Sequence, residues 1–132
     1  MKILAVDDSS VIRDQVSETL YKADYNEFDT AVDGVDALEQ INEAEEPYDF
    51  FIVDINMPRM DGFTLISNIR NKFDYMDTPI MVLSTERSAD MKKKGKAAGA
   101  TSWIVKPFDQ DKFIAGIERT LKYVTVGKEL FD

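Results

Sequence analysis

The sequence predicts an α/β fold, a parallel sheet of five strands with helices on both faces. Three observations carry this expectation. Five short apolar runs alternate with five stretches whose apolar residues recur at helical spacing, the pattern of repeated strand–helix units. The run Phe50-Phe51-Ile52-Val53 is apolar at every position rather than at alternate ones, as a strand covered on both faces must be. The runs also end on polar groups, Asp7-Asp8, Asp54, Ser84 and Lys106, and parallel strands deliver their carboxyl ends to one edge, where ligands sit in open α/β sheets.

Taken in order, Ile3-Leu4-Ala5-Val6 is the first strand, stopped by Asp7-Asp8. Ser9 or Ser10 can cap a helix whose Ile12, Val16 and Leu20 share a face. Tyr25 to Val32 is a more polar strand, expected at an edge. Asp33-Gly34 turns the chain into a second helix bearing Val35, Leu38 and Ile41, which ends in the acidic run Glu43 to Glu46 and Pro47. The third strand is Phe50 to Val53, closed after Asp54 by Pro58, which lacks a backbone donor. Asp61-Gly62 opens a helix expected to bury Leu65, Ile69 and Phe73. Ile80-Met81-Val82-Leu83 is the fourth strand, ending at Ser84-Thr85. A helix from about Ser88 carries Lys92, Lys93, Lys94 and Lys96, and Gly99 stops it. Ser102-Trp103-Ile104-Val105 is the fifth strand, ended by Lys106-Pro107. Asp109 caps a last helix bearing Phe113, Ile117 and Leu121. The expected organisation is one domain, residues 1–123, followed by a short tail, 124–132, without clear periodicity. Each crossover is expected to be right-handed.

Composition excludes several functions. The net charge of −9 over 132 residues argues against nucleic acid, whose phosphates need a basic footprint. With no cysteine and no histidine, there is no disulfide, thiolate metal site, imidazole base or phosphohistidine. The apolar run after Met1 is too short for a signal peptide and nothing approaches a membrane span. These points predict a soluble cytoplasmic protein with no membrane partner.

The strand-end residues define a chemistry. Carboxylates gathered at one edge repel, so one protonates or a cation neutralises them. Oxygen-only ligands favour Mg²⁺, or Mn²⁺, over zinc. Mg²⁺ accepts a phosphate oxygen as a further ligand. Lys106 adds a compact positive charge and Ser84 a hydroxyl donor. Asp54, with a carboxyl pKa ordinarily near 3.9, is ionised at neutral pH and can act as a nucleophile. The set suits phosphoryl transfer onto a carboxylate.

Val6-Asp7-Asp8, Asp54 with Met57-Pro58 and Met60-Asp61-Gly62, Ser84, and Lys106-Pro107 together resemble the receiver domain of two-component response regulators, over about residues 1 to 122. The likeness is nearest to the stand-alone, CheY-like chemotaxis regulators. It implies the flavodoxin-like strand order 2-1-3-4-5 and a signalling protein rather than an enzyme, one that assists its own phosphorylation and dephosphorylation. Asp54 would be the phosphoacceptor. Asp8 would ligate Mg²⁺ directly, Asp7 through water, and Asp54 and the Asn56 backbone carbonyl would complete the protein's ligands. Lys106 would pair with the phosphoryl group, before a proline bond that is usually cis. Ser84 and Trp103 would form the switch, the hydroxyl moving to the phosphoryl group and the aromatic turning inward. Asn56 and Glu86 would tune self-dephosphorylation. The fourth helix, fifth strand and fifth helix would dock partners, with Lys92, Lys93, Lys96 and Trp103 on that face; the lysines also fit a merely solvated helix face. Two positions depart from the family pattern: Trp103 replaces the usual Tyr or Phe, and Thr85 stands where Ala is common.

The resemblance implies a sensor histidine kinase as phosphodonor and a downstream target protein such as the flagellar motor switch, with the chain acting as a monomer. Two other functions fit the sequence less well. An aspartate-nucleophile phosphohydrolase needs a second Asp two residues after the nucleophile, where Asn56 stands. A flavin-binding carrier needs a hydroxyl- and glycine-rich phosphate loop after the first strand, where Asp7-Asp8 would repel phosphate.

Overall fold

The computed structural model describes residues 1–126 and the side chains of residues 1–123. Five strands, β1 (Ile3–Val6), β2 (Phe28–Ala31), β3 (Phe50–Val53), β4 (Ile80–Ser84) and β5 (Ser102–Val105), alternate with α1 (Ser10–Lys22), α2 (Gly34–Glu43), α3 (Gly62–Arg70), α4 (Ala89–Ala98) and α5 (Gln110–Val126). All pairings are parallel and the order is β2-β1-β3-β4-β5. The expected class and order are therefore both observed.

The absence of alternation in the central strands has its cause in two covered faces. Leu4, Phe51, Val53 and Val82 point to one side, against Ala37 and Ile41 of α2 and Leu65, Ile66 and Ile69 of α3. Ile3, Phe50, Ile52 and Met81 point to the other, against Val16 and Leu20 of α1 and Phe113 and Ile117 of α5. Each helix begins on a side-chain cap. Ser9, Asp33, Asp61 and Ser88 accept backbone N–H groups at the starts of α1 to α4, and Asp109 accepts from Lys112 at the start of α5. Such caps supply partners for N–H groups a helix cannot pair internally. Gly99, at φ 116°, takes the left-handed turn that closes α4.

Three expectations are corrected. The strand expected from Tyr25 is confined to Phe28–Ala31, because Tyr25 N–H instead donates to the Leu20 carbonyl in the turn leaving α1. Phe73 is not on the buried stripe of α3: the helix stops at Arg70, and Phe73 opens a 3-10 turn (Phe73–Tyr75) with 88% of its surface exposed. α5 continues to Val126, past the expected start of the tail at Val124; residues 127–132 lie outside the described residues.

The register sets up the site. Val6 pairs with Val53, and Val53 with Val82, so the residues following β1, β3 and β4 emerge at one edge.

Candidate functional site

At that edge Asp7, Asp8 and Asp54 each present a carboxylate oxygen, all within 4.8 Å of one another. Asp54 N–H donates to the Val6 carbonyl at 2.9 Å and Asp7 N–H to the Ala31 carbonyl at 3.1 Å, so the sheet ladder itself carries the backbone of both acids. Asp7 and Asp54 are buried while Asp8 is exposed. The carboxylates of Asp7 and Asp54 are further oriented by the N–H groups of Ser9 and Ile55, at 2.9 and 2.8 Å.

Lys106 closes the cluster. Its Nζ donates to Asp7 Oδ2 at 2.7 Å and lies 3.5 Å from Asp54 Oδ2. One ammonium among three carboxylates leaves a net negative pocket. Burial first, then the charge of Asp7, push the Asp54 carboxyl up to about 6, against the opposing pull of Lys106 and the Ile55 N–H. Asp54 is thus still mostly ionised at neutral pH, but less firmly than an exposed aspartate. A hard divalent cation fits this site: the donors are all oxygen, close enough to share one ion, and their repulsion is only partly relieved by Lys106.

Ser84 is fully buried, and its hydroxyl accepts the Glu86 N–H at 3.2 Å. Glu86 then connects three elements. Its carboxylate accepts from the Asn56 side chain at 3.2 Å, and its carbonyl accepts the Trp103 indole N–H at 2.9 Å. Trp103 is 4% exposed; its ring already lies inward and it contributes almost no surface to a partner face, which corrects its placement there. The cause is a niche opened by Gly95, where a Cβ would stand 2.7 Å from the ring. Lys92, Lys93 and Lys96 lie on α4 as expected, Lys93 and Lys96 exposed and Lys92 half-buried. The Lys106–Pro107 bond is cis. Thr85 is exposed, and with Ile12, Gln15, Lys106 and Phe108 it lines a cavity of about 720 Å³ beside α1.

Two contacts escaped the sequence reading. Arg13 donates to the Asp7 carbonyl at 2.8 Å, and Arg59 makes a bidentate pair with buried Asp33, at 2.7 and 3.0 Å. Neither belongs to a strand-end pattern, and no local motif marks either arginine.

A doubly covered parallel sheet bearing an acidic triad and a lysine at its carboxyl edge is the build of a phosphorylatable signalling domain. Residues 3–118 match the response regulator receiver domain, and the chain belongs to that family. It is 35% identical over 118 residues to PilG of Pseudomonas aeruginosa, covering 89% of this chain and 85% of PilG. It is 36% identical over 121 residues to the chemotaxis protein CheY of Treponema pallidum, covering 92% and 83% of the two chains. The structure of the chemotaxis response regulator CheY4 of Vibrio cholerae superposes with a TM-score of 0.84 at 45% identity, covering 90% of this chain and 97% of CheY4. The chain is a CheY-like response regulator of two-component signalling.

Proposed function

We propose that Asp54 accepts a phosphoryl group from the phosphohistidine of a sensor kinase and that the phosphorylated form engages a downstream protein in a chemotaxis-type pathway. The observation that carries this reading is the position of Asp54: a buried carboxylate, flanked by two acids and a lysine, at the end of a central strand. In the transfer an Asp54 oxygen forms the new P–O bond, the P–N bond breaks, and the histidine retains its electron pair. Asp8, Asp7, Asp54 and the Asn56 carbonyl would hold Mg²⁺, which when bound supplies charge neutralisation for the phosphoryl oxygens. Lys106 would exchange Asp7 for the incoming phosphoryl oxygens. Its short bond to Asp7 keeps it desolvated and aimed at the cluster.

Ser84 would answer by turning its hydroxyl from the Glu86 N–H to the phosphoryl group. Glu86 carries both that N–H and the carbonyl that holds Trp103, so the change would reach α4 through one residue. Lys92, Lys93 and Lys96 would then form part of the docking face, with a downstream target protein such as the flagellar motor switch as the partner. Asn56 and Glu86, joined across the mouth, would govern access of the hydrolytic water. No helix among the described residues is long and apolar enough to cross a membrane. The chain would act in the cytoplasm as a monomer that binds neither lipid nor nucleic acid. The chain would act as a phosphoacceptor and not as a turnover enzyme.

The test is addition of Mg²⁺ and a small phosphodonor, followed by intact mass and Trp103 emission, beside an Asp54→Asn variant. The parent should gain one phosphoryl mass and change its emission, the variant neither. A parent that never gains mass removes the assignment.

A further inference from the structure

The segment that follows Asp54 reaches α3 through Asn56, Met57, Pro58, Arg59 and Met60 before Asp61 caps the helix. Its two ends are tied to each other, Gly62 N–H donating to the Ile55 carbonyl at 2.8 Å, and Ile55 N–H in turn donates to the Asp54 carboxylate. Between them the chain makes an excursion in which Arg59 adopts φ 65°, a left-handed conformation unfavourable for a residue with a Cβ unless its surroundings hold it there. The Arg59 guanidinium grips both oxygens of Asp33, at 2.7 and 3.0 Å. Asp33 is only 4% exposed and fixed in place as the N-cap of α2. Beside it Met60 lies so near Gly34 that a Cβ there would stand 2.8 Å from the Met60 Cβ. The excursion is thus stapled to the start of α2 by a fork-shaped ion pair and a close packing contact, and Asn56 lies within it.

We infer that the Arg59–Asp33 pair is a positioning device for the cation site, fixing the loop that carries the Asn56 carbonyl and so raising the affinity for Mg²⁺. This rests on the site reading proposed above. Asp33 anchors the fork because its carboxylate is buried and backed by the Asp36 N–H; the exposed side of the pair, Arg59, is the movable one. The sign of the effect separates positioning from simple electrostatics. Removing a positive charge near a cation site should tighten cation binding. Losing the clamp should weaken it.

Mn²⁺, counted by the electron paramagnetic resonance of the free ion, is the probe. Arg59→Asn keeps a residue that tolerates the left-handed turn but cannot reach Asp33, and it should weaken Mn²⁺ binding about tenfold, the usual scale for groups that orient ligands. Asp33→Asn keeps the helix-capping oxygen while discarding the charge, and should weaken binding similarly. The double variant should be no weaker than the weaker single variant, since both act through one contact. Arg59→Lys should recover part of the loss. Far-ultraviolet circular dichroism and Trp103 emission of the metal-free variants should match the parent's, which a damaged fold would not allow. Arg59→Asn protein that binds Mn²⁺ as tightly as the parent, or more tightly, overturns the inference. So does a double variant whose loss is the product of the two single losses. An Asp8→Asn control locates the parent's binding: if the folded parent binds no Mn²⁺, or Asp8→Asn binds it undiminished, the site reading itself fails and the clamp falls with it.

Discussion

The indole N–H of Trp103 donates to the Glu86 carbonyl at 2.9 Å, and the Glu86 N–H donates in turn to the Ser84 hydroxyl. One residue therefore joins the acceptor edge to the interior of the α4–β5 packing.

The niche that admits the indole is a glycine. In Gly95→Ala the new Cβ would meet ring carbons at 2.7 and 3.1 Å, so the ring must leave its seat and lose its bond to Glu86. Overpacking of this kind costs about 1–3 kcal/mol, against a helix-propensity gain of roughly 1 kcal/mol for Gly to Ala. A small net loss in a urea titration is expected, with red-shifted emission from the sole tryptophan. An emission spectrum identical to the parent's would show that the niche is not what seats the ring.

The raised Asp54 carboxyl fixes a pH dependence. Its value moves from an ordinary 3.8 to about 6 in the folded protein, so the folded state holds the proton that the unfolded chain has already released. The stabilisation is complete below about pH 4 and is lost as pH rises through 6. The shift corresponds to at most about 3 kcal/mol. Metal-free parent protein should lose stability relative to Asp54→Asn between pH 4.5 and 7.5 on urea unfolding, and Mg²⁺ at pH 7.5 should restore it. Parallel profiles for the two proteins would count against the burial argument.

The strand-end acids were legible because a sheet edge converts sequence position into spatial position. Four apolar residues followed by Asp54 say where that carboxylate must go, whatever the helices do. Arg59 and Asp33 were not legible. Their meeting depends on how two loops approach over Gly34, and no periodicity encodes that. Phe73 misled for a different reason: its spacing from Ile69 fits a helical stripe, but α3 ends at Arg70 and the stripe ends with it. The seat of Trp103 was not legible either, because the space that admits its ring is opened by Gly95 on α4 and not by any residue of β5.

Lys106 bonds to Asp7 and approaches Asp54, and the two contacts predict opposite effects of removing it. Without the ammonium the buried Asp7 carboxylate is unpaired, a defect of about 3 kcal/mol, so metal-free Lys106→Ala should be markedly less stable. The same vacancy makes the cluster more negative, so Mg²⁺ should bind up to roughly tenfold more tightly. Calorimetric titration beside urea unfolding reads both. A variant weaker in Mg²⁺ affinity would mean that Lys106 supports the ligand geometry more than it competes with the ion.

Arg70 tests the opposite end of the sheet. Its Nε donates to the Gly99 carbonyl at 2.8 Å, and its Nη1 to the carbonyls of Tyr75 and Thr78 at 2.8 and 2.7 Å. One guanidinium thus ties the end of α3 to the close of α4 and to the chain entering β4. Burial pulls its pKa down from the ordinary arginine value, against the opposing charge of Asp77, and the guanidinium stays charged. Arg70→Met keeps much of the aliphatic stem but strands three carbonyls, at about 1 kcal/mol or more apiece. Urea unfolding should register a loss of roughly 3 kcal/mol. Mg²⁺ affinity should change less than about twofold, since distant, unshared sites act independently. If affinity falls together with stability, the two edges of the sheet are coupled through α3, and the acceptor site depends on packing well beyond its own loops.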